Sequence, residues 1–74
     1  MSKNNPDILR LGNNIKTIIE KKGYKTREVA HDSNLDVENL RKYIKGTQEM
    51  RISTLIKISK SLKVDIKELF EGII

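Results

Sequence analysis

The side chains that most often perform catalysis or bind metals are sparse in this sequence of 74 residues. It has one histidine, His31, and no cysteine, which argues against thiolate or paired-histidine metal sites. Asp36, Asp65 and Ser53 stand where helix caps are expected, and no credible Ser–His–Asp constellation is present. The glycines are isolated, which excludes a phosphate-cradling loop. We therefore predict no enzyme, no metal and no cofactor, and we interpret His31 as solvated.

The distribution of charge bears on a polyanionic partner. The net charge is +5, and lysine and arginine displace counterions from phosphates. Residues 1–25 carry six basic and two acidic side chains, residues 26–50 carry four and five, and residues 51–74 carry five and three. The middle of the chain is thus its least basic part. A solvated lysine-rich surface explains the excess equally well, so charge alone leaves both interpretations open.

The size of the chain limits it to one domain, residues 1–74, with a short tail at 1–5. The opening letters MSKNNPD lack the apolar run of a signal peptide. Apolar runs elsewhere are far too short to span a membrane. We predict a soluble, cytoplasmic protein.

The first element expected is a helix over residues 7–22. Asn5 can cap it, Pro6 suits a first helical position, and Gly23 suits its end. Apolar side chains recur there at steps of three and four, namely Ile8, Leu11, Ile15, Ile18 and Ile19. This spacing predicts one buried face.

Two shorter helices should follow. The second begins at residue 25 or 26 and ends near residue 32 or 33. Asn34 tolerates a left-handed backbone and predicts a tight turn, after which Asp36 can cap a third helix. That helix is predicted over residues 37–45, with Gly46 as its stop. It should bury Leu40, Tyr43 and Ile44.

The remaining sequence predicts two more helices and no strand. A fourth helix is marked by the apolar residues Ile52, Leu55, Ile56, Ile58 and Leu62, and is capped by Ser53 or a residue just before it. Asp65 followed three residues later by Glu68 is a capping-box pattern, which predicts a fifth helix over 66–71. The fold class expected is a compact all-α bundle of five helices.

A family resemblance extends over about residues 10–72. It is carried by Ile15, by Lys21-Lys22-Gly23-Tyr24, by Val29-Ala30, by Asn34-Leu35-Asp36, by Leu40 and Gly46, and by Leu55, Ile58, Leu62, Val64, Ile66, Leu69 and Phe70. Their joint spacing resembles the lambda-repressor-like helix-turn-helix domains of the Cro/C1/Xre type, with helices 2 and 3 as the motif. The chain departs from the family's usual Gly, Gln, Glu and Pro at Asn34, Thr26, Ile44 and Met50.

The resemblance implies that helix 3 enters the major groove of DNA. The base-contacting residues it implies are Val37, Glu38, Asn39 and Lys42. The phosphate-contacting residues it implies are Thr26, Arg27, Arg41, Lys45, Thr47 and Gln48. Separately, the basic balance of residues 1–25 would favour DNA binding if Lys3, Arg10 or Lys16 faces the backbone. Three of the implied residues have a purely structural interpretation as the alternative to DNA contact. Val37 can cover the edge of the core, Glu38 can complement the helix dipole, and Thr26 can cap helix 2.

The resemblance also implies a homodimer on an inverted-repeat operator. We expect Phe70, Ile73 and Ile74 to line its interface; the alternative is that the terminal isoleucines fold back onto helix 1 or fray. The function predicted is a small stand-alone transcriptional regulator of repressor or controller type that binds double-stranded DNA and no small-molecule ligand. The alternative is a protein-interaction module, such as an antitoxin or regulatory partner, which the acidic balance of residues 26–50 favours.

Overall fold

Four α-helices and one 3₁₀ helix are formed by residues 5–74, the part of the chain that this computed structural model describes. They are α1 (Pro6–Lys21), α2 (Thr26–Asp32), α3 (Val37–Lys45), α4 (Ile52–Leu62) and the 3₁₀ helix Ile66–Phe70. α1 packs against α3 and the 3₁₀ helix, and α2 packs against α3 and α4. The all-α prediction is confirmed, and α2 and α3 are the two helices of the predicted helix-turn-helix.

The prediction of a fifth α-helix was wrong, because the last element is a 3₁₀ helix. Its backbone bonds span three residues, as where the Glu68 N–H donates to the Asp65 carbonyl at 2.9 Å. The predicted capping box is present: the Lys67 N–H donates to Asp65 Oδ1 at 3.1 Å, and the Asp65 N–H to Glu68 Oε2 at 3.3 Å. Glu71 then leaves helical geometry. Five residues form too few hydrogen bonds to offset the free-energy cost of nucleating an α-helix, so the segment forms the tighter 3₁₀ turn.

The ends of α1, α2 and α3 follow the local signals. The Asp7 N–H donates to Asn5 Oδ1 at 2.9 Å, so Asn5 is the predicted cap, and α1 lies one residue earlier at each end than expected. Asn34 has the predicted left-handed backbone, with φ 59°. The Leu35 N–H then donates to the Ala30 carbonyl at 2.8 Å, which closes α2. The predicted bounds of α3 are confirmed.

The prediction that Asp36 caps α3 through its carboxylate was wrong, whereas α4 begins, as the second alternative had it, from a residue just before Ser53. Asp36 occupies the N-cap position of α3, but within residues 5–74 its carboxylate accepts no capping hydrogen bond. The start of α4 is Ile52, with the extended residue Arg51 at its N-cap. Ser53 therefore lies in the first turn of α4 and not at its N-cap.

The core collects apolar side chains from every helix. Its fully buried members are Leu11, Ile15, Ile19, Val29, Ala30, Leu40, Leu55, Ile58, Leu62 and Leu69, with Tyr43 nearly so. Tyr24, Leu35 and Ile44 pack against it from its edge. Within residues 5–74, no helix is both long enough and apolar enough to cross a membrane.

Candidate nucleic-acid interface

The two sides of α3 differ sharply in exposure. Leu40 and Tyr43 are buried in the core. Val37, Asn39 and Ile44 are half-buried at the boundary, and Val37 and Ile44 pack against the core. The exposed side of α3 is formed by Glu38, Arg41, Lys42 and Lys45. It therefore presents three cations and one carboxylate to solvent.

The position of α3 is set by an unusually close contact with α1. Gly12 is buried in α1, and a Cβ atom at this position would lie 2.6 Å from the Ile44 carbonyl oxygen and closer still to that of Tyr43. Only a residue without a side chain lets the two backbones approach so closely. Gly12 thus fixes the distance between α1 and the last turn of α3.

The C-terminal end of α3 is closed by its own loop. Gly46 has a left-handed backbone, with φ 75°, and its N–H bonds back to the last turn. The Thr47 N–H and hydroxyl both donate to the Lys42 carbonyl, at 3.1 and 3.2 Å. The Thr47 hydroxyl therefore has a structural partner, in addition to the phosphate contact predicted for it.

An ion pair joins two of the exposed residues of α3. Arg41 Nη1 lies 2.8 Å from Glu38 Oε2, one turn away on the same side of the helix. Both side chains are well exposed, and exposed pairs of this kind contribute only about 0 to 1 kcal/mol. A competing phosphate or base can therefore separate the two at little cost.

A cleft of about 220 Å³ lies between α1 and α3, beside the exposed side of α3, and adds the cation of Lys16 to those of α3. We call it the α1–α3 cleft; it is lined by Lys16, Ile19, Glu20, Thr26, Arg41, Ile44 and Lys45. Three cations face one carboxylate there, above an apolar floor. The structure thus assembles Thr26, Arg41 and Lys45 from the predicted phosphate contacts and adds Lys16, one of the three additions considered from the sequence.

Other predicted contact residues lie elsewhere. Arg27 lines a separate cavity on the far side of α2, with Tyr24 and Asp32. Gln48 is exposed in the loop after α3. Arg10 Nε donates to the Glu71 carbonyl at 3.1 Å, so this guanidinium is engaged by the C-terminal turn. Lys3 lies outside the described residues.

The residues predicted for a dimer interface differ in exposure. Phe70 and Ile73 are half-buried against the core, whereas Ile74 is 97% exposed. Their turn is held to α1, since Asn14 Nδ2 donates to the Leu69 and Glu71 carbonyls at 2.8 and 2.9 Å. Sequence reasoning missed these bonds, because Asn14 looks like any polar residue on a helix.

The sequence also gave no reason to single out the apolar side chains that α4 exposes. Ile52 and Ile56 lie one turn apart and are 66% and 40% exposed. At about 100° per residue, positions 52, 55, 56, 58 and 62 fall within an arc of about 160°, which is an ordinary amphipathic face. Positions 52 and 56 lie at one edge of that arc, and nothing in the pattern indicates that this edge is left uncovered. α4 packs against the 3₁₀ helix that leads to Ile73 and Ile74.

Among residues 5–74, no group of three or more His, Asp or Glu side chains is placed to hold a metal ion. His31 is exposed on α2.

Comparison with known proteins gives this arrangement a context. A model of the Cro/C1-type helix-turn-helix DNA-binding domain matches residues 14–73. The restriction-modification controller protein C.AhdI from Aeromonas hydrophila has a similar structure, with a TM-score of 0.86 and 21% identity over 89% of this chain and 100% of that one.

Two further solved structures are similar. The restriction-modification controller protein C.Esp1396I has a TM-score of 0.82 and 27% identity, over 90% of this chain and 87% of that one. The clp gene regulator ClgR from C. glutamicum has a TM-score of 0.79 and 21% identity, over 82% and 79%. A comparison with curated proteins found no match. Because the family model covers most of its length, this chain belongs to the family of Cro/C1-type helix-turn-helix DNA-binding domains.

Proposed function

We propose that this protein is a sequence-specific regulator of transcription that reads double-stranded DNA with α3 in the major groove. The observation that carries the proposal is the division of α3 between a side locked into the core by Leu40 and Tyr43 and an exposed side of Glu38, Arg41, Lys42 and Lys45. A helix held on one side and polar on the other can present fixed donors and acceptors to base edges.

The proposed base contacts lie on the first two turns of α3. Lys42 is exposed and can donate to guanine O6 or N7, and Asn39 can pair with adenine. Glu38 can accept from cytosine N4 once its pair with Arg41 opens. Val37 is half-buried, so a thymine methyl would meet its exposed edge while the rest of the side chain covers the core.

The α1–α3 cleft supports a set of phosphate contacts beside that surface. Three cationic side chains line the cleft, those of Lys16, Arg41 and Lys45, and the Thr26 hydroxyl adds a neutral donor. Such contacts position a protein on the duplex without reading sequence. Thr47 and Gln48, in the loop that follows the C-terminal end of α3, extend the proposed backbone contacts, whereas Arg27 lies away from them.

We further propose that the regulator acts as a twofold dimer. Ile74, exposed at the end of the chain, and the exposed edges of Phe70 and Ile73 are the proposed contacts, together with Ile52 and Ile56 on the neighbouring α4. A single small domain buries too little surface on DNA for tight specific binding, and a dimer doubles it. The likeness to two restriction-modification controller proteins supports a controller role.

A protein-interaction role on the same fold is the second candidate. The Glu38 carboxylate favours it, because it offsets one of the three cations that the exposed side of α3 offers to DNA. The two candidates differ in salt dependence: log affinity for a random duplex should fall with log salt at a slope near −0.9 per phosphate contacted. An interaction module would show weak duplex binding with no such slope.

Selection of bound sequences from a random duplex pool tests the function directly. The expected product is an inverted repeat whose half-sites are about one helical turn, roughly 34 Å, apart. A pool that stays random after repeated selection would contradict sequence-specific binding. A single half-site without a repeat would contradict the dimer while leaving the α3 assignment intact.

The dimer interface has its own test. The mass in solution of the full chain should be that of a dimer, and Ile73→Ser with Ile74→Ser should shift it towards the monomer. Ile8→Ser, which changes a half-buried isoleucine at the other end of the chain, is the matched control. A dimer that survives the paired change unaltered would remove these two residues from the interface.

A further inference from the structure

A groove between α2 and the C-terminal half of α4 takes no part in the proposed base contacts. It consists of two adjoining cavities of about 560 and 550 Å³, which share Asp32, Ser61 and Lys63 in their walls. We call it the α2–α4 groove. Within the described part of the chain, no residue of α3 lines it. A duplex bound by α3 and a ligand in this groove would therefore engage different side chains.

One half of the groove is strongly cationic. Lys57, Lys60 and Lys63 line it against the single carboxylate of Asp32. The C-terminal end of a helix carries roughly half a negative charge, which one lysine offsets. Three lysines in the wall leave an excess of positive charge, which suits a group with several anionic oxygens, such as a phosphate chain.

Two buried hydroxyl groups in the same walls are unsatisfied. Ser33 is 1% exposed, and neither its Oγ nor that of Ser61 has a hydrogen-bond partner within residues 5–74. Buried polar atoms in native proteins are nearly always paired, and an unpaired one indicates a missing partner. Both serines line the cationic cavity, so the oxygens of a ligand bound there could accept from their hydroxyls.

The other half of the groove has a different character. Tyr24 and Val29 contribute an aromatic ring and an aliphatic side chain to it, and Arg27, Glu28 and His31 also line it. An aromatic ring next to an arginine is a surface on which a planar base stacks. Asp32, common to both halves, is of the residue type that accepts hydrogen bonds from ribose hydroxyls.

We propose that the α2–α4 groove binds a nucleotide. Its phosphates engage Lys57, Lys60 and Lys63, its ribose lies at Asp32, and its base lies against Tyr24. The size of each half is within the range of small-molecule sites. Because the groove joins the first helix of the helix-turn-helix to α4, a bound nucleotide would stabilise the folded domain by mass action.

The test uses the full chain without DNA, with ATP as the probe, so its outcome is independent of the DNA-binding proposal. Calorimetry should detect binding, and amide shifts should map to residues 24–33 and 57–63. Lys57→Gln with Lys60→Gln should weaken ATP about tenfold or more, since charge-assisted bonds are lost. Lys22→Gln with Lys67→Gln removes the same charge from exposed positions outside the groove and should change affinity less than about twofold.

Four results would overturn the proposal. Equal weakening by both pairs of substitutions would reduce the effect to general electrostatics. Shifts centred on Arg41 and Lys42 would mean that ATP merely occupies the DNA-facing surface. Inorganic triphosphate binding as tightly as ATP would remove the ribose and base from the site. Absence of binding at about 1 mM ATP would leave only water in the groove.

Discussion

The contacts that join the two helices of the helix-turn-helix to the rest of the bundle, α3 to α1 and α2 to α4, are packed in opposite ways. Between α1 and α3 the backbones approach so closely that Gly12 has no space for a Cβ atom beside the Tyr43 and Ile44 carbonyls. Between α2 and α4 the helices leave a groove of two cavities, with the hydroxyls of Ser33 and Ser61 unpartnered within residues 5–74. The α1–α3 contact, which we call closed, is made by backbone atoms packed directly against each other. The α2–α4 contact, which we call open, leaves a groove lined with charged side chains.

This difference suits α3, which must be held rigidly if it is to read bases, and the α2–α4 contact, which can accept a substitution or a ligand. A recognition helix reads bases only if its side chains are held within a fraction of an ångström, and a backbone contact supplies that rigidity. A groove with spare volume fixes nothing to that tolerance, but it can admit a ligand or a larger side chain. Substitutions on the two sides should therefore differ in cost by several kcal/mol.

The largest effect is expected from Gly12→Val in the closed contact. The new side chain must push α1 away from α3, which costs about 3 kcal/mol or more out of a total stability of about 5 to 10 kcal/mol. Urea unfolding should show the loss. Asn13→Val, at the exposed neighbouring position, introduces the same residue and should cost less than about 1 kcal/mol. Equal costs would show that helix propensity, and not the close contact, sets the effect.

Much of this fold could be predicted from local sequence. The bounds of α3 followed from the apolar spacing and Gly46, the left-handed turn from Asn34, and the capping box from Asp65 and Glu68. Each of these features depends on residues within a few positions of one another. The last element was misassigned because periods of 3.0 and 3.6 cannot be told apart over five residues.

The closed contact and the cleft beside it could not be predicted in the same way. Gly12 in a helix gives no local sign that another backbone approaches it, and Asn14 finds its acceptors more than fifty residues away along the chain. Thr26 and Arg27 are adjacent in sequence, yet they line different cavities on either side of α2. Such placements depend on tertiary packing, which a helical pattern does not specify.

The second-largest effect is expected from substitutions on α3, the helix that the closed contact holds in place. Asn39→Ala with Lys42→Ala should leave the fold intact but reduce discrimination between operator and random duplex by about 2 kcal/mol or more, since each base pairing contributes about 1 to 3 kcal/mol. Competition binding measures this ratio.

Arg41→Ala is the matched comparison for those two substitutions. As a proposed phosphate contact, it should weaken all duplexes alike and reduce the salt slope by about 1. If Arg41→Ala changes discrimination and the Asn39 and Lys42 pair does not, the base and phosphate assignments on α3 are reversed.

A smaller effect is expected where α1 holds the C-terminal turn. Asn14→Ala removes the side-chain donor of the Leu69 carbonyl and leaves the Glu71 carbonyl with Arg10 Nε alone, at a cost of about 1 to 2 kcal/mol. Thermal unfolding should register the loss, and Asn13→Ala, one position along and exposed, should not. This contact is made by side chains, so its cost should lie between those of the closed and open contacts. A cost near that of Gly12→Val would place the C-terminal turn among the rigid parts.

The smallest effect, and the one that probes the open contact, is expected from Ser33→Ala. Burying a hydroxyl without a partner costs about 1 to 3 kcal/mol, so its removal should leave stability unchanged or raise it by up to about 1 kcal/mol. Ser59 provides the comparison: it is equally enclosed, but its Oγ donates to the Ile56 carbonyl at 2.8 Å. Ser59→Ala forfeits that bond and should lower stability by about 1 kcal/mol. If both alanine variants lose the same stability in urea, the Ser33 hydroxyl has a partner in solution, and the contact between α2 and α4 is as fully satisfied as the one between α1 and α3.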